Sequence, residues 1–187
     1  MMKKVPVFLI AIFCLTALTG CHFFWKHYRD RTNEFSVSLP RSWQIVTDHA
    51  PAALIALAPL QGKNDRFREN LTVVPSDLPN DEVKEMFWEY NKKIILSSMP
   101  GYKSQIKEGE LFAGMQRGQY MAFTVTKGDV KLRIKTVAWF RGLRVYSVTC
   151  SAEYAQYPKY EKAFDKILSS FNFYYTPHVA VKTKPKK

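Results

Sequence analysis

The chain has 187 residues, 47% of them hydrophobic and 14% aromatic, with 28 Lys and Arg against 16 Asp and Glu for a formal charge of +12. Such apolar content excludes a disordered chain, and the length suits one domain with one core. No segment repeats at a fixed period, which sets repeat architectures aside.

In chain order, Lys3 and Lys4 give a positive start, residues 5–18 form an apolar run, and Thr19-Gly20 supply the small residues a signal peptidase needs. As a helix the run reaches only about 21 Å at ~1.5 Å per residue, against ~30 Å of hydrocarbon, so it does not span a bilayer. Leu18-Thr19-Gly20-Cys21 resembles the lipobox of bacterial lipoproteins. That resemblance implies removal of residues 1–20, a diacylglycerol on the Cys21 sulfur and an acyl chain on the new amino terminus. Each buried methylene contributes ~0.8 kcal/mol, and two chains anchor stably. His22 stands where the same family uses Asp for inner-membrane retention, so the implied location is the periplasmic face of the outer membrane. Loss of Lys3 and Lys4 takes the formal charge from +12 to +10.

Residues 21–33 read as a lipidated tether, with Lys26, Arg29 and Arg31 interleaved with Phe23, Phe24, Trp25 and Tyr28. Basic residues beside anionic lipid contribute about 1 kcal/mol each, and aromatics favour the interface. The folded domain is then expected over 34–175. Glu34-Phe35-Ser36-Val37-Ser38-Leu39 alternates with period two and stops at Pro40, and 43–47 resumes as a short strand. Residues 52–59 are nearly all apolar, which suits a strand covered on both faces, and 68–74 follows the polar loop around Gly62. Four strands thus precede any helix.

Pro79-Asn80-Asp81-Glu82 signals a helix start, with N-cap side chains and early acids. Val83, Met86, Phe87, Tyr90 and Ile94 share one face and are expected in the core; Pro100-Gly101 ends the helix. Residues 102–106, 111–126, 130–140 and 143–152 read as strands, with Lys127-Gly128-Asp129 and Arg141-Gly142 as hairpin turns. A last helix begins near Pro158 and carries Tyr160, Phe164, Ile167, Leu168 and Phe171 on one side. The order is α+β. Residues 176–187 hold Pro177, Pro185 and four lysines with no acid, and are expected to be disordered.

Past the lipobox, the sequence carries no motif of a known chemistry. Cys14 leaves with the signal, Cys21 carries lipid and Cys150 is left alone in Val145-Tyr146-Ser147-Val148-Thr149-Cys150, where it reads as a small core residue. His22, His27, His49 and His178 fall in the tether, a loop and the tail, so no metal site is expected. No nucleophile elbow, zinc-protease helix, phosphate loop or dinucleotide fingerprint is present, and neither a catalytic residue nor a cofactor is expected. Glu82, Glu85 and Glu89 share one helical side and read as a solvated face.

One patch stands out. Residues 130–152 contain Lys131, Arg133, Lys135, Arg141 and Arg144 and no acid, and alternation points the first three away from the apolar row Leu132, Ile134, Ala138 and Phe140. The leading expectation is a non-catalytic envelope lipoprotein that docks a protein or anionic envelope partner through Lys131, Arg133, Lys135 and Arg144, with the lysine tail adding contacts. Charge on an outer strand also blocks edge aggregation and needs no partner. An alternative is a carrier or chaperone for an apolar ligand or hydrophobic segment, with Trp88, Trp139 and Phe140 lining the groove; a wide apolar cavity favours it and a packed core opposes it. Nucleic-acid binding fits the pI near 9.6 but conflicts with secretion.

Three stretches resemble the PsbP-like superfamily, which includes DcrB-type bacterial lipoproteins. They are Phe35-Ser36-Val37-Ser38-Leu39-Pro40-Arg41-Ser42-Trp43, then Phe67-Arg68-Glu69-Asn70-Leu71-Thr72-Val73, and finally Tyr146-Ser147-Val148-Thr149-Cys150-Ser151-Ala152 with Phe164 and Ile167-Leu168-Ser169-Ser170-Phe171. Together they cover about 34–173. The resemblance implies an antiparallel sheet flanked by helices, an α/β/α sandwich, and no enzyme. Its members bind a photosystem complex, a nuclear GTPase, or transmembrane segments of secreted effectors, and none of their functional residues carries over.

Overall fold

The computed structural model describes residues 24–63, 65–97 and 106–174. Among the described residues, runs in which apolar side chains alternate with period two, such as Phe35-Val37-Leu39, form antiparallel strands. β1 (Trp25–Asp30), β2 (Phe35–Pro40), β3 (Gln44–Val46), β4 (Leu54–Leu57) and β5 (Asn70–Asp77) precede helix α1 (Asp81–Ser97). β6 (Lys107–Ala113), β7 (Gln116–Lys127), β8 (Val130–Arg141) and β9 (Arg144–Glu153) then form a meander, followed by helix α2 (Tyr157–Ser169) and the short β10 (Asn172–Phe173). The large sheet has the order β3-β4-β5-β9-β8-β7-β6 and the small one β1-β2-β10. This is the α+β antiparallel arrangement expected from the sequence.

The pleat sorts the large sheet into two faces. Leu54, Ala56, Leu71, Val73, Val137, Trp139, Tyr146, Val148 and Cys150, all fully buried, form one face, which α2 and the small sheet cover with Phe164, Ile167, Leu168, Phe171, Phe35 and Val37. At the centre the Phe171 ring stacks on Trp139 at 4.6 Å between centroids and on Phe35 at 5.7 Å, with the edges of Tyr146 and Phe173 against it. Gly118 lies opposite Trp139 across the β7–β8 ladder, and its missing side chain makes room for the indole. The Tyr146 hydroxyl donates to the Asn33 carbonyl at 2.7 Å. α1 lies on the other face, where Phe87 meets the Phe140 ring edge-on at 5.5 Å.

Helix ends follow their local chemistry. Asn80 caps α1, its Oδ1 accepting from the Val83 N–H at 2.9 Å, and Pro158 sits in the first turn of α2, where its missing N–H costs nothing. The hairpin turns at Gly128 and Gly142 take φ of 58° and 61°, as their composition predicts.

Five expectations change. Residues 25–30, expected in the tether, form β1 and pair with β2 along its full length, so His27 lies on a strand and the folded body begins nine residues earlier than 34. The stretch 111–126 is two strands, β6 and β7, joined at Gly114 with φ 59°. β4 alternates, with Leu54 and Ala56 buried and Ile55 and Leu57 half-buried, rather than being covered on both faces. Phe171 follows the end of α2 rather than lying on its face. On α1, Met86 and Tyr90 are 60% and 63% exposed, with Val83 and Ile94 also exposed, while Phe87, Trp88, Asn91 and Ile95 turn to the sheet. The helix has two apolar rows and one supporting surface, so periodicity could not choose between them.

The signal segment, Cys21, the tail and most of the predicted strand 102–106 lie outside the described residues. No helix among the described residues is long and apolar enough to cross a membrane.

Candidate functional site

The register of the meander places Lys107, Ala122 and Lys135 in one row across β6, β7 and β8, with Cys150 next on β9. Cross-strand partners share a face, and adjacent strands lie ~4.8 Å apart, so the two lysines stand about 10 Å apart over the small Ala122 side chain. Arg133 lies two residues along β8 on the same face. The start of α2 and the turn before it supply the opposite wall, with Tyr154, Tyr157, Pro158 and Glu161. The result is an open cleft of about 570 Å³ lined by three cations, three tyrosines and one carboxylate.

The cations differ in their partners. Lys135 pairs with Asp165 of α2 at 2.8 Å and sits 5.2 Å from the Tyr120 ring. Arg133 reaches only the Thr124 hydroxyl, at 3.4 Å, and neither it nor Lys107 forms a salt bridge among the described residues. Lys131 extends the basic side beyond the cleft and lies 4.3 Å from the Tyr154 ring, a cation–π contact. Burial pushes the Tyr157 phenol up, against the opposing pull of Arg133. The cleft therefore offers charge and hydrogen-bond donors over aromatic walls, a chemistry suited to phosphate, carboxylate or sulfate groups.

Arg144 belongs elsewhere. It opposes Arg141 at the far end of the β8–β9 ladder, where it donates to Asn33 Oδ1 at 2.8 Å and faces Asp77 at 3.8 Å. Arg141 pairs there with Glu34 at 2.7 Å. These two arginines fasten the β1–β2 turn to the large sheet, so the grouping of Arg144 with Lys131, Arg133 and Lys135 does not hold in space. The signal sequence reasoning missed was Lys107, which lies on a strand well before the basic run, with Tyr154 and Tyr157 just past the end of that run.

Cys150 is fully buried and its thiol is held protonated, since burial pushes it well above the ordinary range. It is a core residue, as its strand predicts. No three His, Cys, Asp or Glu side chains converge for a metal among the described residues.

Glu69 is 1% exposed. Burial raises its carboxyl above the ordinary range, against backbone N–H donors and the Tyr160 hydroxyl, and its Oε2 has no hydrogen-bond partner. With the folded value raised, the group's contribution is fully present below the unfolded value near 4.5 and is lost as pH rises through the folded one. Glu69→Gln is therefore expected to raise unfolding stability at pH 7 by about 1 kcal/mol, with no gain at pH 4. Urea midpoints at the two pH values test this; an equal change at both would place the effect in packing rather than charge.

A second, smaller cleft of about 280 Å³ lies between α1 and the sheet, walled by Phe87, Trp88, Ile95, Met121, Phe123 and Ile134. Trp139, expected to line such a groove, is instead fully buried on the other face.

A family model for PsbP matches residues 25–173. No curated protein matches the chain. Among solved structures the chain is similar to the cyanobacterial PsbP (CyanoP) of Synechocystis, at 16% identity and a TM-score of 0.59 over 83% of this chain and 96% of that one. It is also similar to LpqN of Mycobacterium tuberculosis, a protein involved in cell envelope biogenesis, at 11% identity and a TM-score of 0.61 over 84% and 95% of the two chains. At these identities the likeness is one of fold.

Proposed function

The chain belongs to the PsbP family, and from that premise we propose that it is a non-catalytic binding module of the bacterial cell envelope. In this reading lipid on Cys21 holds it at the membrane, at the periplasmic face of the outer membrane, and the cleft beside α2 docks an anionic envelope partner. The observation that carries the reading is the cleft itself: Arg133 and Lys107 stand without a carboxylate partner among the described residues, beside tyrosines able to stack or donate. The envelope setting is supported by the lipobox at Leu18-Thr19-Gly20-Cys21 and by the likeness to LpqN.

A photo-crosslinking residue at Tyr154, in living cells, tests the cleft. The expected result is a discrete adduct that falls at least tenfold with Lys107→Glu and Arg133→Glu together, since two uncompensated charges are reversed. An adduct of unchanged yield in a variant that melts normally removes the cleft from the reading. Lys131→Glu, at the rim, is expected to weaken the adduct less.

The alternative, a carrier for an apolar ligand or segment, has the cleft under α1 in its favour. Its volume of about 280 Å³ falls just below the range of ligand pockets, ~300–1,000 Å³, and the sheet beneath the middle of α2 is filled by Phe164, Ile167 and Leu168. The basic cleft is the better supported of the two.

A further inference from the structure

We propose that the outer face of α2 is a docking surface for an anionic lipid bilayer, an inference that rests on the lipid anchor at Cys21. Helical spacing places Lys159, Lys162 and Lys166 at i, i+3 and i+7, on the side of α2 turned away from the buried Phe164, Ile167 and Leu168. All three lysines are exposed. The acids of the same helix, Glu161 and Asp165, lie off this stripe toward the basic cleft, where Asp165 pairs with Lys135. The stripe therefore carries only positive charge.

The start of the folded chain runs directly into it. Lys166 Nζ lies 4.2 Å from the Trp25 ring, and the exposed Phe24 accepts through its carbonyl from the Arg41 N–H at 2.9 Å. Lys26, next on β1, donates to the carbonyls of Arg41 and Trp43. Lys166 is thus seated beside a half-buried tryptophan, a pairing of cation and amphipathic aromatic that headgroup regions favour.

Chain length limits how far this surface can stand from the anchor. Only three peptide steps separate Cys21 from Phe24, and three steps span at most about 11 Å. Four steps, at most about 15 Å, separate an acylated Cys21 from Trp25, so Lys166 beside that ring stays within about two Debye lengths of the lipid phosphates, each ~8–10 Å at physiological salt. With α2 facing the bilayer, the basic cleft opens on the flank and α1, across the large sheet, points away. The anchor thus sets an orientation as well as a location.

The test uses the full acylated chain inserted by its own anchor into vesicles of phosphatidylcholine alone, or with phosphatidylglycerol as roughly a third of the lipid. A membrane-impermeant amine reagent then reports each lysine. The expected result is labelling of Lys162 and Lys166 about threefold lower in the anionic vesicles, with Lys127 and Lys131 unchanged and the difference erased at ~1 M salt. A chain that floats with both vesicles but labels equally in them overturns this proposal alone, and so does protection seen only in native envelopes, which would assign the face to a protein. A chain that floats with neither vesicle overturns the anchor and this surface together.

Discussion

Phe171→Ala is expected to lower unfolding stability by about 3–5 kcal/mol, the range for emptying a buried aromatic site. The ring is 1% exposed and meets four others, stacking on Trp139 and Phe35 and taking edges from Tyr146 and Phe173. It also stands at the junction where α2 ends and β10 begins, so its loss leaves a cavity shared by both sheets and the helix. For a body of this size each kcal/mol moves Tm by roughly 2–4 °C, and a fall of about 10 °C is expected. Urea denaturation checks the mechanism: the midpoint should drop with the slope unchanged. A loss below ~1 kcal/mol would mean that the neighbouring rings close the gap and that the stack is not the organising contact.

Gly118→Ala tests the same core from the opposite side. A Cβ at this position would lie 2.6 Å from Trp139 Nε1, 2.7 Å from Cδ1 and 3.0 Å from the Ala138 carbonyl oxygen. Trp139 is fully buried and backed by Phe171, so it has nowhere to retreat. Overpacking of this kind costs about 1–3 kcal/mol. Gly109 provides the internal comparison: its added Cβ would meet Tyr120 Cε1 at 2.8 Å, but Tyr120 is only half-buried and borders the cleft. Gly109→Ala is expected to be the milder change. Equal melting temperatures for the two variants would show that the indole, too, can move.

What the sequence disclosed, and what it withheld, follows from how local each signal is. The meander from β7 to β9 was legible because Gly128 and Gly142 mark its turns and β-branched residues alternate between them. The buried face of α2 was legible for the same reason, with one strong period and one apolar side. β1 was hidden because Trp25 and Tyr28, three residues apart, fall on opposite faces of the strand and make no period-two row, with Lys26, His27 and Arg29 between and after them; an edge strand of a small sheet tolerates that pattern. α1 misled because both its rows are apolar, and only the three-dimensional reach of the sheet decides which is covered.

The cleft shows the same limit. Alternation identified Arg133 and Lys135 as neighbours, since they lie two residues apart on one strand. Arg144 looked equivalent in the sequence but stands opposite Arg141, six residues farther along the ladder than Lys135, or roughly 20 Å at ~3.3 Å per residue. Lys107 was invisible until the pairing of β6 with β7 brought it opposite Ala122. Residue spacing reports a strand's own face, and register alone reports what stands beside it.

The pairing of β10 with β2 has a consequence for how the molecule is made. Phe173 opposes Phe35, and the Tyr174 N–H donates to the Glu34 carbonyl at 3.1 Å, so the earliest and latest parts of the domain form one ladder. The meander can close by short hairpins as it emerges, whereas this ladder spans almost the whole domain and carries a correspondingly large loop-closure cost. Synthesis must therefore deliver residue 173 before Phe171 can seat. Until that moment the aromatic interior stays open to water and to whatever escorts the nascent chain.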